Sequence, residues 1–284
     1  MRRRAKGVRR LCALYALHTK MELTITTCQA SIAAFFVCEV AGYLGHRLGL
    51  ATRFINEIAW QERQAQLDAN QIDVGWICGA PYVRRIDQQL AAIELLAAPV
   101  MAASRYQDQP VYFSDVVVRY DSPYQKFADL RGTRWAYNER KSYSGYEVVR
   151  SYLATQNLDR FFFGQVIESG AHQRSVELIL RGDVEASAID STVLDLLYAQ
   201  QPQLCHQLRA IDTLGPSPIP PWVIGLHVAP ELRIQLREAL IQMQHDPVGQ
   251  AILLRGQTVR FATVGDADYD LTRTRLAHAE AISL

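Results

Sequence analysis

From Glu22 onward, short runs of β-branched and apolar residues alternate with longer runs of helical, amphipathic periodicity. Residues 23–26 and 73–78 have the pattern of strands, and residues 32–48 have the pattern of a helix. A strand followed by a helix is the βαβ unit, which places parallel strands in one sheet with helices on its faces. The alternation therefore predicts an α/β protein with mainly parallel sheets, whose ligand binds at the carboxyl ends of the strands.

The units fall into two series, which predicts two lobes. A strong strand pattern at 112–119 starts the second series, and a segment with four prolines at 214–221 closes it, because proline resists regular structure. Two crossing segments between the lobes would then act as a hinge. The expected division is a basic leader at 1–20, a discontinuous lobe one at 21–115 and 221–284, and lobe two at 116–220.

The charge is unevenly distributed along the chain. The first twenty residues hold seven Lys and Arg and no acid, so the rest carries a net charge of −6 within the formal total of +1. Nucleic-acid binding would need basic residues concentrated on the folded body, so an acidic body argues against that class of partner. A monomer that binds a small anion is expected instead.

The basic leader imitates a secretory signal peptide. Its apolar run is short, and no A-x-A cleavage site precedes Met21, so Met1 and Met21 both remain possible starts. A periplasmic location is expected and a cytoplasmic one stays open. No stretch approaches the length of a membrane-spanning helix.

The cysteines predict neither a disulfide framework nor a metal site. They are odd in number and scattered, with no CxxC or Cys/His pairing at metal-ligand spacing, and buried free cysteine behaves as a small hydrophobe. No metal and no cofactor is expected. The five are Cys12, Cys28, Cys38, Cys78 and Cys205.

Three places in the second series combine a strand end, a turn and a helix start with polar side chains. Ser142 and Ser144 precede a helix at Gly145, His172 lies near the next helix start, and Asp190 ends a small-residue strand. Helix N-termini offer unpaired N–H donors and a positive dipole to an anion. Each residue could instead be a plain N-cap or surface group. Their convergence at one sheet edge favours an oxyanion site.

A fourth edge, in the first series, ends in a glycine turn that delivers Tyr82 towards the same gap. We expect Tyr82 to cover the ligand from lobe one. Ser144, His172 and Asp190 could also be imagined as a catalytic triad, but the G-x-S-x-G, P-loop, HExxH and GxGxxG patterns are missing. No catalytic residue is therefore assigned.

At these same residues the sequence resembles the phosphate/phosphite/phosphonate substrate-binding proteins of ABC transporters, a branch of the type II periplasmic binding fold. The similarity extends from Met21 to about Met243. In that family a serine-rich turn, a histidine, an aspartate and an aromatic hold the ligand. Carried over by motif, the ligand-binding residues are Ser142, Tyr143, Ser144, Gly145, His172, Asp190 and Tyr82. Tyr143 departs from the threonine that is frequent at its position, which removes one short hydroxyl donor.

The resemblance implies a two-lobed binding protein that clamps a phosphonate, phosphate or phosphite by hinge closure and delivers it to an ABC permease. Two alternatives stay open. One is a cytosolic or tethered lobe that senses the same anion, which cell fractionation would distinguish. The other is an enzyme similar to the pyrimidine-precursor synthases of thiamine biosynthesis, which would need further histidines in the cleft.

Overall fold

Two separate β-sheets organise the molecule, as described by a computed structural model for residues 22–90, 92–282 and 284. The basic leader lies outside the described residues. The strands are β1 Glu22–Thr27, β2 Ala51–Ile55, β3 Val74–Trp76, β4 Ile93–Met101, β5 Val111–Arg119, β6 Arg134–Tyr137, β7 Gln165–Glu168, β8 Ala186–Asp190, β9 Leu208–Pro218, β10 Trp222–Gly225 and β11 Thr258–Ala262.

Helices cover the faces of both sheets. The helices are α1 Ala34–Leu48, α2 Trp60–Asp68, α3 Gly79–Asp87, α4 Val148–Thr155, α5 His172–Arg181, α6 Ser191–Gln200, α7 Pro230–Gln242, α8 Pro247–Arg255 and α9 Asp270–Ala279. A turn of π-helix, Tyr143–Glu147, leads directly into α4. None of the described helices is long and apolar enough to cross a membrane.

The two lobes confirm the predicted α/β fold class, but both sheets are mixed. The strand order is β11-β4-β10-β3-β1-β2 in lobe one and β7-β6-β8-β5-β9 in lobe two. β1 runs parallel to β2 and β3, and β6 runs parallel to β7 and β8. The strands next to the crossings pair antiparallel: β10 with β3 and β4, and β5 with β8 and β9. Parallel neighbours need a crossover connection, whereas β5 and β10 each enter their sheet directly from the other lobe and run against their neighbours, so the expectation of mainly parallel sheets was too simple.

The chain passes between the sheets twice, over residues 102–110 and 219–221. The proline-rich segment was expected to be irregular, yet residues 214–218 are the end of β9. β9 is an edge strand of its sheet. Proline has no backbone N–H, and on the open side of an edge strand no hydrogen bond to a neighbouring strand is lost. The actual crossing is therefore short.

Each lobe has its own aromatic core. Trp76 stacks on Trp222 in lobe one, and Trp135 stacks on Phe163 in lobe two. The C-terminal helix α9 contacts both lobes, because Leu276 packs against both the lobe-two cluster and a second cluster of lobe one. Lobe one as predicted from the sequence therefore includes a helix that also packs against lobe two.

Candidate functional site

A cavity of about 340 Å³ lies between the lobes. Its lobe-one wall follows the ends of β1, β2 and β3, and its lobe-two wall follows the ends of β6, β7 and β8. This is the carboxyl edge at which open α/β sheets bind ligands. Ser142, Ser144, His172 and Asp190 line the cavity, together with Asn138, Glu139, Lys141, Gly170, Ala171 and Val193 of lobe two and Cys28, Gln29, Ala30, Ser31, Asn56, Ile58, Ala59, Trp60, Arg63, Gln64, Cys78 and Pro81 of lobe one.

Ser142 and Ser144 lie at the start of the π-helical turn that precedes α4, and this segment is called the serine turn. Ser142 caps it, since its Oγ accepts a hydrogen bond of 3.1 Å from the backbone N–H of Gly145. Ser144 Oγ lies 3.2 Å from His172 Nε2, and both side chains are buried. The hydroxyls therefore stand at a helix start, where unpaired N–H donors favour an anion.

His172 opens α5 and enters the cavity as a neutral ring. Burial lowers its pKa to about 4, so the imidazole is uncharged at neutral pH. Its Nδ1 is buried and has no hydrogen-bond partner among the described residues, as is also true of the nearby Asn138 Oδ1. Buried polar atoms without partners are uncommon in folded proteins. Within the described part of the chain, both atoms therefore lack the hydrogen-bond partner that a buried polar atom normally has.

Asp190 ends β8 and caps α6. Its Oδ1 accepts hydrogen bonds from the backbone N–H and the hydroxyl of Thr192, at 2.9 and 2.7 Å. Burial is the main cause that raises the pKa of Asp190 to about 6. The carboxyl group is thus both a helix cap and a wall of the cavity, which unites the two readings that the sequence left open.

Gly145 contributes by close approach. A Cβ at this position would lie 2.1 Å from Asn138 Oδ1 and 3.1 Å from His172 Cε1. The absence of a side chain lets the turn pack directly against two residues that line the cavity.

The structure places two predicted site residues away from the cavity. Tyr82 is buried in lobe one, where its ring packs on Tyr269 and its hydroxyl donates a 2.8 Å hydrogen bond to Asp266 Oδ1. The reason is that α3 begins at Gly79, so helical rotation turns Tyr82 into the core and presents Pro81 to the cavity. The expectation that Tyr82 covers the ligand is wrong.

The side chain of Tyr143 is also turned inward. It is fully buried in the apolar cluster of lobe two and does not line the cavity. The ring of Tyr143 therefore belongs to the core of lobe two and not to the ligand cavity.

Sequence reasoning missed the lobe-one wall. Trp60, Arg63 and Gln64 lie at positions i, i+3 and i+4 of α2 and so share one helix face. Arg63 and Gln64 are buried on the same side as Leu67. No local pattern in α2 distinguishes these residues, because their burial depends on contacts with other segments of the chain.

Two thiols and one carboxyl complete the lining. Burial is the main cause that raises the pKa of Cys28 to about 12 and that of Cys78 to about 11, so both are protonated thiols at neutral pH. Burial, with the nearby Glu168, raises the pKa of Glu139 to about 7. No group of three His, Cys, Asp or Glu side chains within the described residues could hold a metal ion.

Solved structures share this architecture. A binding protein component of an ABC phosphonate transporter from Pseudomonas aeruginosa is 16% identical with a TM-score of 0.79, over 92% of this chain and 87% of that one. PhnD1 from Prochlorococcus marinus, solved with methylphosphonate, is 14% identical with a TM-score of 0.79, over 92% and 99%. A Xanthomonas citri protein solved bound to ATP is 15% identical with a TM-score of 0.71, over 92% and 97%.

The family model for the phosphonate periplasmic substrate-binding protein of ABC transporters matches residues 37–269. That match includes the serine turn, the α5 start and the β8 end that line the cavity. The chain therefore belongs to the phosphonate substrate-binding protein family of ABC transporters.

Proposed function

We propose that this solute-binding protein clamps a phosphorus oxyanion, a phosphonate, phosphate or phosphite, through Ser142, Ser144, His172 and Asp190. The observation that carries the proposal is that these four side chains, from three separate strand ends, line one cavity between the lobes. Hydroxyls, helix-start N–H groups and a neutral imidazole are hydrogen-bond donors suited to oxyanion oxygens. The Asp190 carboxylate accepts a hydrogen bond from a monoprotonated ligand.

Binding would proceed by closure of the lobes around the docked anion. Contacts across the cleft are already in place: Gln173 donates to Ser31 Oγ at 3.3 Å, and Arg84 of α3 pairs with the buried Glu147. Exclusion of water strengthens each hydrogen bond in the cavity. The closed form would deliver the ligand to an ABC permease, and the proposal therefore includes a periplasmic location.

The arrangement of the serine and the histidine favours binding over catalysis. Ser144 touches His172, as a nucleophile touches its base, but Asp190 bonds to Thr192 and leaves His172 Nδ1 without an acid to orient it. A histidine whose pKa is lowered to about 4 is also a poor general base at neutral pH. We therefore assign no reaction to the site.

A thermal-shift screen with methylphosphonate, phosphate, phosphite and sulfate tests the proposal. A ligand present at 100 times its Kd should stabilise the protein by about 2.7 kcal/mol. Sulfate should give the smallest shift, because it carries no proton to donate to Asp190. Ser144→Ala and Asp190→Ala should abolish the shift, whereas Ser122→Ala, in a lobe-two loop outside the cavity, should keep it. Wild-type binding by both site variants would refute the assignment.

A further inference from the structure

Arg63 is a buried cation in the cavity wall. Its side chain is 7% exposed, and its Nε donates to Thr27 O at 3.1 Å. Its Nη1 donates to Asn56 O and Ile58 O at 3.0 and 2.6 Å. Thr27 ends β1, and Asn56 and Ile58 belong to the loop after β2, so the guanidinium is held in one position. Its Nη2 makes no hydrogen bond with any described residue.

Arg63 forms no salt bridge within the described part of the chain. A nearby carboxylate, that of Glu57, is fully exposed and accepts its hydrogen bond from the backbone N–H of Asn56 instead. The neighbouring Arg85 is equally buried but forms a two-point ion pair with Asp68. The three acceptors of Arg63 are neutral carbonyls, and the two thiols nearby are protonated. Buried charges in proteins are normally paired. A fixed guanidinium with a spare amino group in a ligand cavity matches a carboxylate or phosphoryl group of the ligand.

The surroundings of Arg63 add a second cation and an apolar surface. Trp60 lies one helical turn before Arg63, and the Nζ of Lys141 from lobe two lies 5.8 Å from the centroid of the Trp60 ring. The side chains of Ser142, Ser144 and His172, in contrast, carry no positive charge at neutral pH. The lobe-two wall thus carries hydroxyls, a neutral imidazole and the Asp190 carboxyl, whereas the wall around α2 carries Arg63, with Lys141 of lobe two beside Trp60.

The cavity has room for more than a bare tetrahedral anion. At about 340 Å³ it falls within the range of roughly 300–1,000 Å³ that is typical of sites for whole organic ligands. A ligand with an anionic group at each end would meet both walls.

On the basis of the proposed function, we propose that the preferred ligand is an organophosphonate whose carbon substituent ends in a carboxylate, with the phosphonate at the serine turn and the carboxylate on Arg63. Trp60 packs against the connecting carbons, and Lys141 adds a second, exposed cation. The rival is a substituent that ends in an ammonium group, held by Glu139. Glu139 is a single carboxyl, and its ionised form is disfavoured by burial and by Glu168, so two cations outweigh it.

Isothermal titration calorimetry on the full chain decides this with three ligands of matched length: 3-phosphonopropionate, propylphosphonate and 2-aminoethylphosphonate. The first should bind about tenfold or more tighter than the second, as expected for a hydrogen-bonded ion pair. The third should bind no tighter than the second. Equal or tighter binding of propylphosphonate or 2-aminoethylphosphonate would overturn the inference. Failure of all three to bind would instead overturn the proposed function.

Variants test where the carboxylate group of the ligand binds. Arg63→Gln should remove the preference for 3-phosphonopropionate while propylphosphonate still binds. Arg63 also donates to three backbone carbonyls, so its replacement can disturb the fold, and Lys141→Gln is therefore the second probe. Lys141 is exposed, and its loss should reduce the preference for 3-phosphonopropionate about threefold. Lys126→Gln, exposed and outside the cavity, is the matched control and should change nothing. An unchanged preference in Lys141→Gln and in a folded Arg63→Gln would contradict the assignment.

Discussion

Asp190 combines two tasks that pull its protonation in opposite directions. As the cap of α6 it accepts hydrogen bonds from Thr192, which favour the carboxylate, while burial favours the neutral acid and dominates. With a pKa of about 6 it is mostly ionised at neutral pH, in the wall of the proposed oxyanion site. A fully ionised ligand would therefore meet a like charge, and one proton between ligand and Asp190 relieves the repulsion.

Binding of methylphosphonate should consequently take up protons near pH 7 and strengthen as pH falls from about 8 towards the Asp190 pKa of about 6. Asp190→Asn keeps an oxygen for Thr192 but removes the charge, so its proton uptake should be smaller and its pH dependence shallower. Calorimetry in buffers of different ionisation enthalpy measures the uptake. His172 stays neutral throughout this range, since its pKa is about 4. Identical uptake in the wild type and in Asp190→Asn would show that Asp190 is not the group involved.

The π-helical turn before α4 joins the oxyanion site to the contact between the lobes. The same turn carries Ser144 at the cavity and Glu147, which is buried between Arg84 of lobe one and Arg150 of α4. Opening of the lobes would separate Arg84 from Glu147 but leave Arg150 in place. The ion pair between Arg84 and Glu147 can thus favour closure without being needed for the stability of lobe two.

Arg84→Gln should weaken ligand binding about threefold, the size expected for a partly exposed ion pair, and should act mainly on dissociation. The folded state of lobe two should be unaffected, because Glu147 retains Arg150. Surface plasmon resonance with an immobilised chain gives both rates. Arg119→Gln, which removes an exposed pair with Asp121 inside lobe two, is the control. Equal effects of the two substitutions would contradict a role of Arg84 in closure.

Strand ends and helix starts were predictable from the sequence, because both are encoded locally. The strand before Asp190 and the helix after it follow from neighbouring residues, and the carboxyl-edge rule then brings separate edges together. The direction of a side chain within a helix was harder to predict: Tyr82 and Tyr143 differ from Pro81 and Ser144 by one residue each. A shift of one helical position rotates a side chain by about 100°, which separates cavity from core.

Arg63 could not be predicted as a site residue because its environment is assembled from distant segments. Its acceptor Thr27 ends β1 and its acceptor Asn56 lies in the loop after β2, while α2 taken alone is a polar helix typical of a surface. The mixed sheets escaped prediction for a similar reason. The direction of β10 depends on the return of the chain from lobe two, which no local pattern records.

The crossings at residues 102–110 and 219–221 join the two lobes through the backbone, and α9 contacts both lobes in addition to the contacts across the cleft. The ordered crossings leave a hinge as the simplest relative motion of the lobes. A ligand can shift such an equilibrium only through contacts that differ between the open and closed forms. Since the cavity walls belong to different lobes, a ligand that touches both walls favours closure more than one that touches the serine turn alone.

Small-angle X-ray scattering should therefore record a smaller radius of gyration when a stabilising ligand is added, and the decrease should be larger for a ligand that reaches Arg63 than for phosphite at equal saturation. Ser144→Ala is the matched control, because at the same ligand concentration it should remain in the unliganded form. Stabilisation of the wild type without any change in the radius of gyration would mean that binding does not close the lobes. The permease would then have to recognise the occupied site by some feature other than the distance between them.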